Sequence, residues 1–369
     1  MNNNTKSYNG IDIGKFICAF LIIAIHTNPF ISIDERLNHV VVNYIARIAV
    51  PFFFISSGFF LFRKMDLDGF YADKNRIFNK KIPLQYAIRI YKLYWIWTAI
   101  YFVISAISIL KNPHGILYGI ALYVRNVILV GSELHLWYLI GTTVAVLLIT
   151  FLVSKRMKLK YICLLSGILY CTGLFAQSYF GLIKPLENIP IVWKMLHLTQ
   201  KIISTTRNGL FEGFFFVSIG MLLTLEPVKR KVDRITLTNS VVLFVVSMAA
   251  FYFEFHFLSA MHWTLQYDMW VFLVPAAIFF FLVMLKMDLP SNGMYRSMRE
   301  SSILIFYIHI FVREVIGYIV DGINLIPGVS AVMHSMLLYV LVAVCSFVIA
   351  EVIKRLSRKE RFQYLKKIY

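Results

Sequence analysis

Blocks of about twenty apolar residues recur along this chain, and that recurrence limits its possible folds more than any other feature. An α-helix rises about 1.5 Å per residue, so about twenty residues cross a hydrocarbon core roughly 30 Å thick. The runs are continuous and do not alternate, which excludes a transmembrane β-barrel. Of the 369 residues, 59% are hydrophobic, and the mean hydropathy is +0.71. A soluble domain averages roughly 45–50% apolar residues. The chain is therefore expected to be an all-α integral membrane protein, multi-pass in the cell membrane.

About ten transmembrane helices are expected, near residues 13–28, 40–62, 84–110, 134–153, 160–178, 205–225, 239–257, 269–286, 301–320 and 331–353. Segment 115–130 is also apolar but carries Arg125 and two glycines, and it reads as a re-entrant or interfacial piece. Ile17–Ile25 is an apolar core with no small-residue cleavage site behind it, so the first helix is expected to remain as the first span. The connections are strongly asymmetric in charge. With the N-terminus inside, 28 Lys and Arg residues fall on the cytoplasmic side and six on the other. Because positive loops stay inside, an N-in/C-in topology is expected. The longest connections, 63–83, 111–133 and 179–204, are too short for an independent domain. A single membrane domain over 1–369, with no soluble domain, follows.

The formal net charge is +18, but the basic residues gather at span ends and not on one face. They are read as orientation signals, and no nucleic-acid partner is expected. Cys18, Cys163, Cys171 and Cys345 lie inside apolar segments without a CxxC pair. They read as small core residues, and no metal site is expected.

Ionisable groups inside spans cost roughly 2.5–3.5 kcal/mol each on insertion scales, so each is a candidate for function. In the first span Asp12 and Lys15 lie at the foot. His26, eleven residues beyond Lys15, stands roughly 16 Å above it at helical rise. Under the N-in topology Arg47, His135, Arg207, Asp268 and His309 fall at a similar outer depth, and that convergence is the argument for a site. Each has a plainer reading. A histidine at a helix end often marks the interface, Trp137 and Tyr138 suit an aromatic belt, and Arg207-Asn208-Gly209 suits a turn opening a helix. Asp268 suits a loop end, and Asp12 with Lys15 suits a structural ion pair. Ser57-Gly58 reads as a close helix approach and not as a nucleophile. At the foot of the third span, Arg89 and Lys92 are three apart on one helical face. Two cations there suit a phosphate-bearing ligand, and they suit an orientation anchor equally.

The order Gly10-Ile11-Asp12, Lys15, His26, then Arg47-x-x-Val50-Pro51-Phe52-Phe53-x-x-Ser56-Ser57-Gly58, resembles the acyltransferase-3 family of membrane O-acyltransferases. Lys15 and His26 keep the spacing of that family's first motif, a basic residue and a histidine with ten residues between, with Lys where Arg is commoner. Arg89-x-x-Lys92 is similar to its second, Arg-x-x-Arg. His135-Leu136-Trp137-Tyr138-Leu139, Arg207-Asn208-Gly209-Leu210-Phe211 and Ser302 through Tyr307-x-His309 extend the resemblance over the whole chain. Within the family, Ser178-Tyr179-Phe180-Gly181-Leu182-Ile183 and Arg207-Asn208-Gly209 resemble the membrane half of vancomycin-resistance serine racemases. Those proteins continue into a soluble pyridoxal-phosphate domain; none is expected here, so racemase activity is not implied.

The resemblance implies transfer of an acyl group, usually acetyl from acetyl-CoA, to a hydroxyl of an extracytoplasmic glycan or cell-wall acceptor. It implies His26 as general base or transient acyl carrier, with His309 and His135 as further candidates. Arg47 or Arg207 would stabilise the oxyanion. Arg89, Lys92 and Lys15 would bind the phosphates of acyl-CoA. Beside this enzyme reading stand a transporter of a small polar solute such as serine, and an accessory component of surface-polysaccharide export.

Overall fold

The computed structural model describes residues 8–191, 194, 204–323 and 334–369, and no β-strand occurs among them. Lys6, Lys201 and positions 331–333, used in the sequence reading, lie outside the described residues. In chain order the apolar helices are α1 (Asn9–Thr27), α2 (Glu35–Phe62), α3 (Lys81–Leu110), α4 (Ile116–Leu129), α5 (Trp137–Ser154), α6 (Leu159–Leu174), α7 (Gly209–Leu222), α8 (Leu237–Ala260), α9 (Leu273–Lys286), α10 (Gly293–Ile323) and α11 (His334–Leu356).

Seven of these are long and apolar enough to cross a membrane. An eighth results if α7 and the Glu226–Asp233 helix, bent from it by 76°, form one span. The all-α membrane architecture expected from the sequence is thus observed. Where crossings were expected over 160–178 and 269–286, the helices are shorter. α6 has 16 residues and α9 has 14, roughly 21–24 Å at helical rise. The physical reason lies in polar residues that end them. The chain leaves the helix at 175–179 and again over 261–272. Gln177 and Ser178, both wholly buried, tie these irregular stretches together. The Gln177 amide donates to Gln266 Oε1 at 2.9 Å, and Ser178 Oγ donates to the Met269 carbonyl at 2.7 Å. Irregular backbone at membrane depth persists where protein satisfies it in this way. The 115–130 segment forms the 14-residue α4, too short to cross the core.

The chain divides into two compact units. The first comprises the residues through Phe53, Ile235–Ala249 and Pro275–Tyr369. In it α1, α10 and α11 pack on one another around Ala19, Ile23, Leu304, Ile305, Val342, Ala343 and Ala350. Helices in lipid gain little from expelling water, so close contact between small residues such as these alanines holds them together. The opposite face of α11 leaves Val340, Val344 and Val348 exposed, as a lipid-facing surface requires. At the foot of α1, Asp12 accepts a bond from Arg299 Nη1 at 3.3 Å. The sequence offered no sign of that partner, 287 residues away.

The second unit comprises Phe54–Arg234 and Ala250–Val274. Here α5 packs against α3 and α7, and α6 against α7. The lower half of α2 meets α7 at backbone distance. A Cβ on Gly58 would lie 2.2 Å from the Val217 carbonyl oxygen, and one on Gly220 would lie 2.2 Å from that of Ile55. The close approach expected at Ser57-Gly58 is therefore present. Ser57 itself shares a 2.9 Å hydrogen bond with the Tyr138 hydroxyl.

Candidate active site

α1 is one unbroken helix, so the eleven-residue step from Lys15 to His26 keeps its full rise. It ends one residue beyond His26. Asn28 takes up a left-handed conformation (φ 50°) and returns its N–H to the Ala24 carbonyl. His26 is half-buried there. α10 brings His309 beside it: the two ring centroids are 5.3 Å apart, with the planes inclined by 36°. His309 is wholly buried. Its Nδ1 lies 3.1 Å from the Ile305 carbonyl oxygen and 2.9 Å from that of Phe306. Carbonyls only accept, so Nδ1 carries a proton, and whenever the ring is neutral Nε2 is the acceptor.

Arg47 belongs to the same unit and occupies an irregular stretch of α2. A π-helical turn over Val41–Ile45 is followed by a 3-10 turn over Ala46–Ile48, and both contact α1. Short π-helical turns inside helices frequently accompany functional sites. Arg47 Nη2 donates to Asn43 Oδ1 at 2.7 Å, and Asn43 Nδ2 lies 3.0 Å from His39 Nδ1. The amide nitrogen is the donor in that contact, so His39 Nδ1 accepts. His39, Asn43 and Arg47 follow one another at four-residue steps. That spacing was visible in the sequence and went unread.

In the second unit Arg207 precedes a capped helix. Asn208 Oδ1 accepts from the backbone of Leu210 and Phe211, the familiar role of Asn at an N-cap, and a π-helical turn over Gly209–Gly213 follows. The Arg207 guanidinium lies 5.1 Å above the Trp137 ring and 3.3 Å from Asp268 Oδ1. Cation–π attraction and a carboxylate partner thus fix it from two sides. Asp268 is therefore more than a loop end. Thr205 and Thr206 join the Gln177 amide next to it. Gln177 escaped the sequence reading because a neutral amide near a span end does not stand out as a buried charge does. Glu254 is ionisable and was still missed. Its carboxylate accepts from the backbone of Val271 and Phe272 and from the Tyr179 hydroxyl. His135 is buried, with its ring 5.2 Å from Tyr101 in an edge contact.

The cationic candidates divide between the units. Lys15 lies half-buried in the first, while Arg89 and Lys92 are exposed on α3 in the second.

The acyltransferase domain family (Acyl_transf_3) matches residues 8–353. This chain belongs to that family. Its apolar helices make it a multi-pass membrane domain of that family. Among curated relatives, an amino-acid racemase of Enterococcus faecalis is 28% identical over 353 residues, which cover 96% of this chain and 47% of the racemase. A second amino-acid racemase of that organism is 32% identical over 222 residues, 60% of this chain and 29% of the relative. The serine/alanine racemase of Enterococcus gallinarum is 27% identical over 277 residues, 75% and 37% respectively. This acyltransferase-3 chain thus spans about half or less of the length of these relatives. No solved structure matches it. For an acyltransferase, a half-buried imidazole against a second, buried one offers a proton acceptor with a fixed neighbour.

Proposed function

We propose that this protein transfers an acyl group, acetyl in the first instance, from cytoplasmic acyl-CoA to a hydroxyl of an extracytoplasmic glycan or cell-wall acceptor. The observation that carries the reading is the His26–His309 contact at the end of α1. His26, the more accessible of the two, takes the proton of the acceptor hydroxyl. The alkoxide oxygen bonds to the thioester carbonyl carbon, and the resulting oxyanion is held by the guanidinium of Arg47, which belongs to the same unit as His26. Collapse breaks the C–S bond, and the leaving thiolate takes the proton from His26. His309 sets the orientation of His26. The buried, edge-packed position of His135 supports a packing role for it. Arg89 and Lys92, three apart on α3, receive the donor's phosphates from the side that the charge asymmetry assigns to the cytoplasm, in an N-in/C-in, single-domain arrangement over 1–369.

The test uses inside-out vesicles supplied with labelled acetyl-CoA, followed for label in a luminal sugar acceptor. Label is expected with wild-type protein and not with His26→Ala inserted to the same level. Label that ignores His26 rejects the mechanism.

A second reading has one observation behind it, the serine/alanine racemase name of a relative. On that reading the membrane helices move a small polar solute such as serine. Serine uptake into liposomes that needs no acyl-CoA and survives His26→Gln would favour it.

A further inference from the structure

The start of α10, the end of α11 and the Glu360–Ile368 segment border a half-open polar cavity of about 570 Å³ within the first unit. Arg296, Lys354, Arg358 and Lys366 line it, against one acidic side chain, Glu300. Lys354 is 2% exposed. Its ammonium donates to Ser297 Oγ (2.6 Å), Ser301 Oγ (2.7 Å) and Glu351 Oε1 (2.6 Å). It therefore fixes the cavity floor while its own charge is met. Arg296 pairs with Glu300 at 3.0 Å. Among the described residues Arg358 and Lys366 enter no ion pair, and both are exposed. Ser357, buried one residue past the end of α11, shares a 2.8 Å hydrogen bond with the Tyr369 hydroxyl. That bond fastens the segment carrying Lys366 back onto α11.

Residues that merely orient a membrane protein need no cavity and no common focus. Here cations from three elements converge on one volume within the roughly 300–1,000 Å³ range of small-molecule sites. Two of them, Arg358 and Lys366, enter no ion pair with an acidic side chain among the described residues. A guanidinium and an ammonium facing one space suit a phosphate oxygen cluster, which takes a bidentate bond from Arg and a point charge from Lys. The end of the bundle is the Lys- and Arg-rich one, where nucleotides and anionic headgroups are both encountered. We propose that this cavity binds the phosphate group of a ligand, supplied by a nucleotide or by an anionic lipid. The inference does not depend on His26 or on which acyl donor is used.

The test titrates purified protein separately with 3′,5′-ADP, the phosphate-rich part of CoA, and with short-chain phosphatidylglycerol, using phosphatidylcholine as reference. Wild type is compared with R358Q/K366Q, whose substituted side chains are exposed, and with R355Q/K359Q, which removes two neighbouring exposed cations outside the cavity. At least one probe should bind, and R358Q/K366Q should weaken it roughly tenfold or more, as expected for charge-assisted hydrogen bonds. R355Q/K359Q should stay near wild type. Loss confined to 3′,5′-ADP identifies a nucleotide as the source, and loss confined to phosphatidylglycerol identifies a lipid. Binding of neither probe, unchanged affinity in R358Q/K366Q, or equal loss in both variants overturns the proposal. His26→Ala should bind either probe as wild type does, so failure of acyl transfer and failure of this site remain distinguishable.

Discussion

The imidazole of His26 lies against that of His309, with 5.3 Å between ring centroids. The backbone carbonyls of Ile305 and Phe306 fix where the His309 proton sits. If His26 is the base, His26→Ala should lower kcat by roughly 10²–10⁴-fold, the usual contribution of general-base catalysis. His26→Gln should be nearly as inactive, since an amide cannot take the proton. A base must be unprotonated, so wild-type activity should fall as the medium is acidified. His309→Gln should reduce kcat and alter the pH–rate profile while leaving the donor KM in place. A change in membrane abundance alone would assign His309 to packing.

Arg207 is held by Asp268 and Trp137. Should it stabilise the oxyanion, Arg207→Lys keeps the charge but loses the planar fork. A fall in kcat of roughly 10²–10³-fold, with KM unchanged, is then expected. Steady-state kinetics decide this, because an anchoring role leaves kcat near wild type.

Gly220 faces the α2 backbone so closely that any side chain must move it. Gly220→Ala should destabilise the protein by about 1–3 kcal/mol, the usual cost of overpacking. Gly317, in α10, has nothing within 4 Å of where its Cβ would be. There Gly→Ala should be neutral or stabilising through helix propensity. Thermal unfolding in detergent compares the two, and equal effects would contradict the packing described.

Asp66 caps the Leu67–Ala72 helix through Gly69 N–H at 2.9 Å and meets Arg76 at 2.6 Å. The Gly69 hydrogen bond, then Arg76, holds its carboxyl below the usual carboxylate range. A depressed folded-state value means that the cap's stabilisation is present above the unfolded carboxylate value and is lost as pH falls through the lower, folded one. Protection of the Gly69 amide, its exchange relative to the intrinsic rate at the same pH, should therefore fall on acidification below about pH 4. Asp66→Asn keeps a capping oxygen, and its protection should lose that pH dependence.

The sequence alone determined the solvent of this protein, because twenty-residue apolar runs leave helices in a bilayer as the only way to satisfy the backbone. It also marked His26, Arg47, Arg207 and His309, since polar groups at membrane depth are costly and stand out. Order and spacing were enough to point to the acyltransferase-3 family. Pairing was not legible. Asp12 meets Arg299 across 287 residues, and His26 meets His309 across 283, through packing that no local period encodes. Helix ends at 175 and 261 were likewise hidden, because they depend on Gln177 and Ser178 finding partners far along the chain. The basic tail read as orientation charge, and only the fold of α10 against α11 gathered Lys354, Arg358 and Lys366 around one cavity. Hydropathy is a property of each segment, whereas a partner is a property of the whole packing.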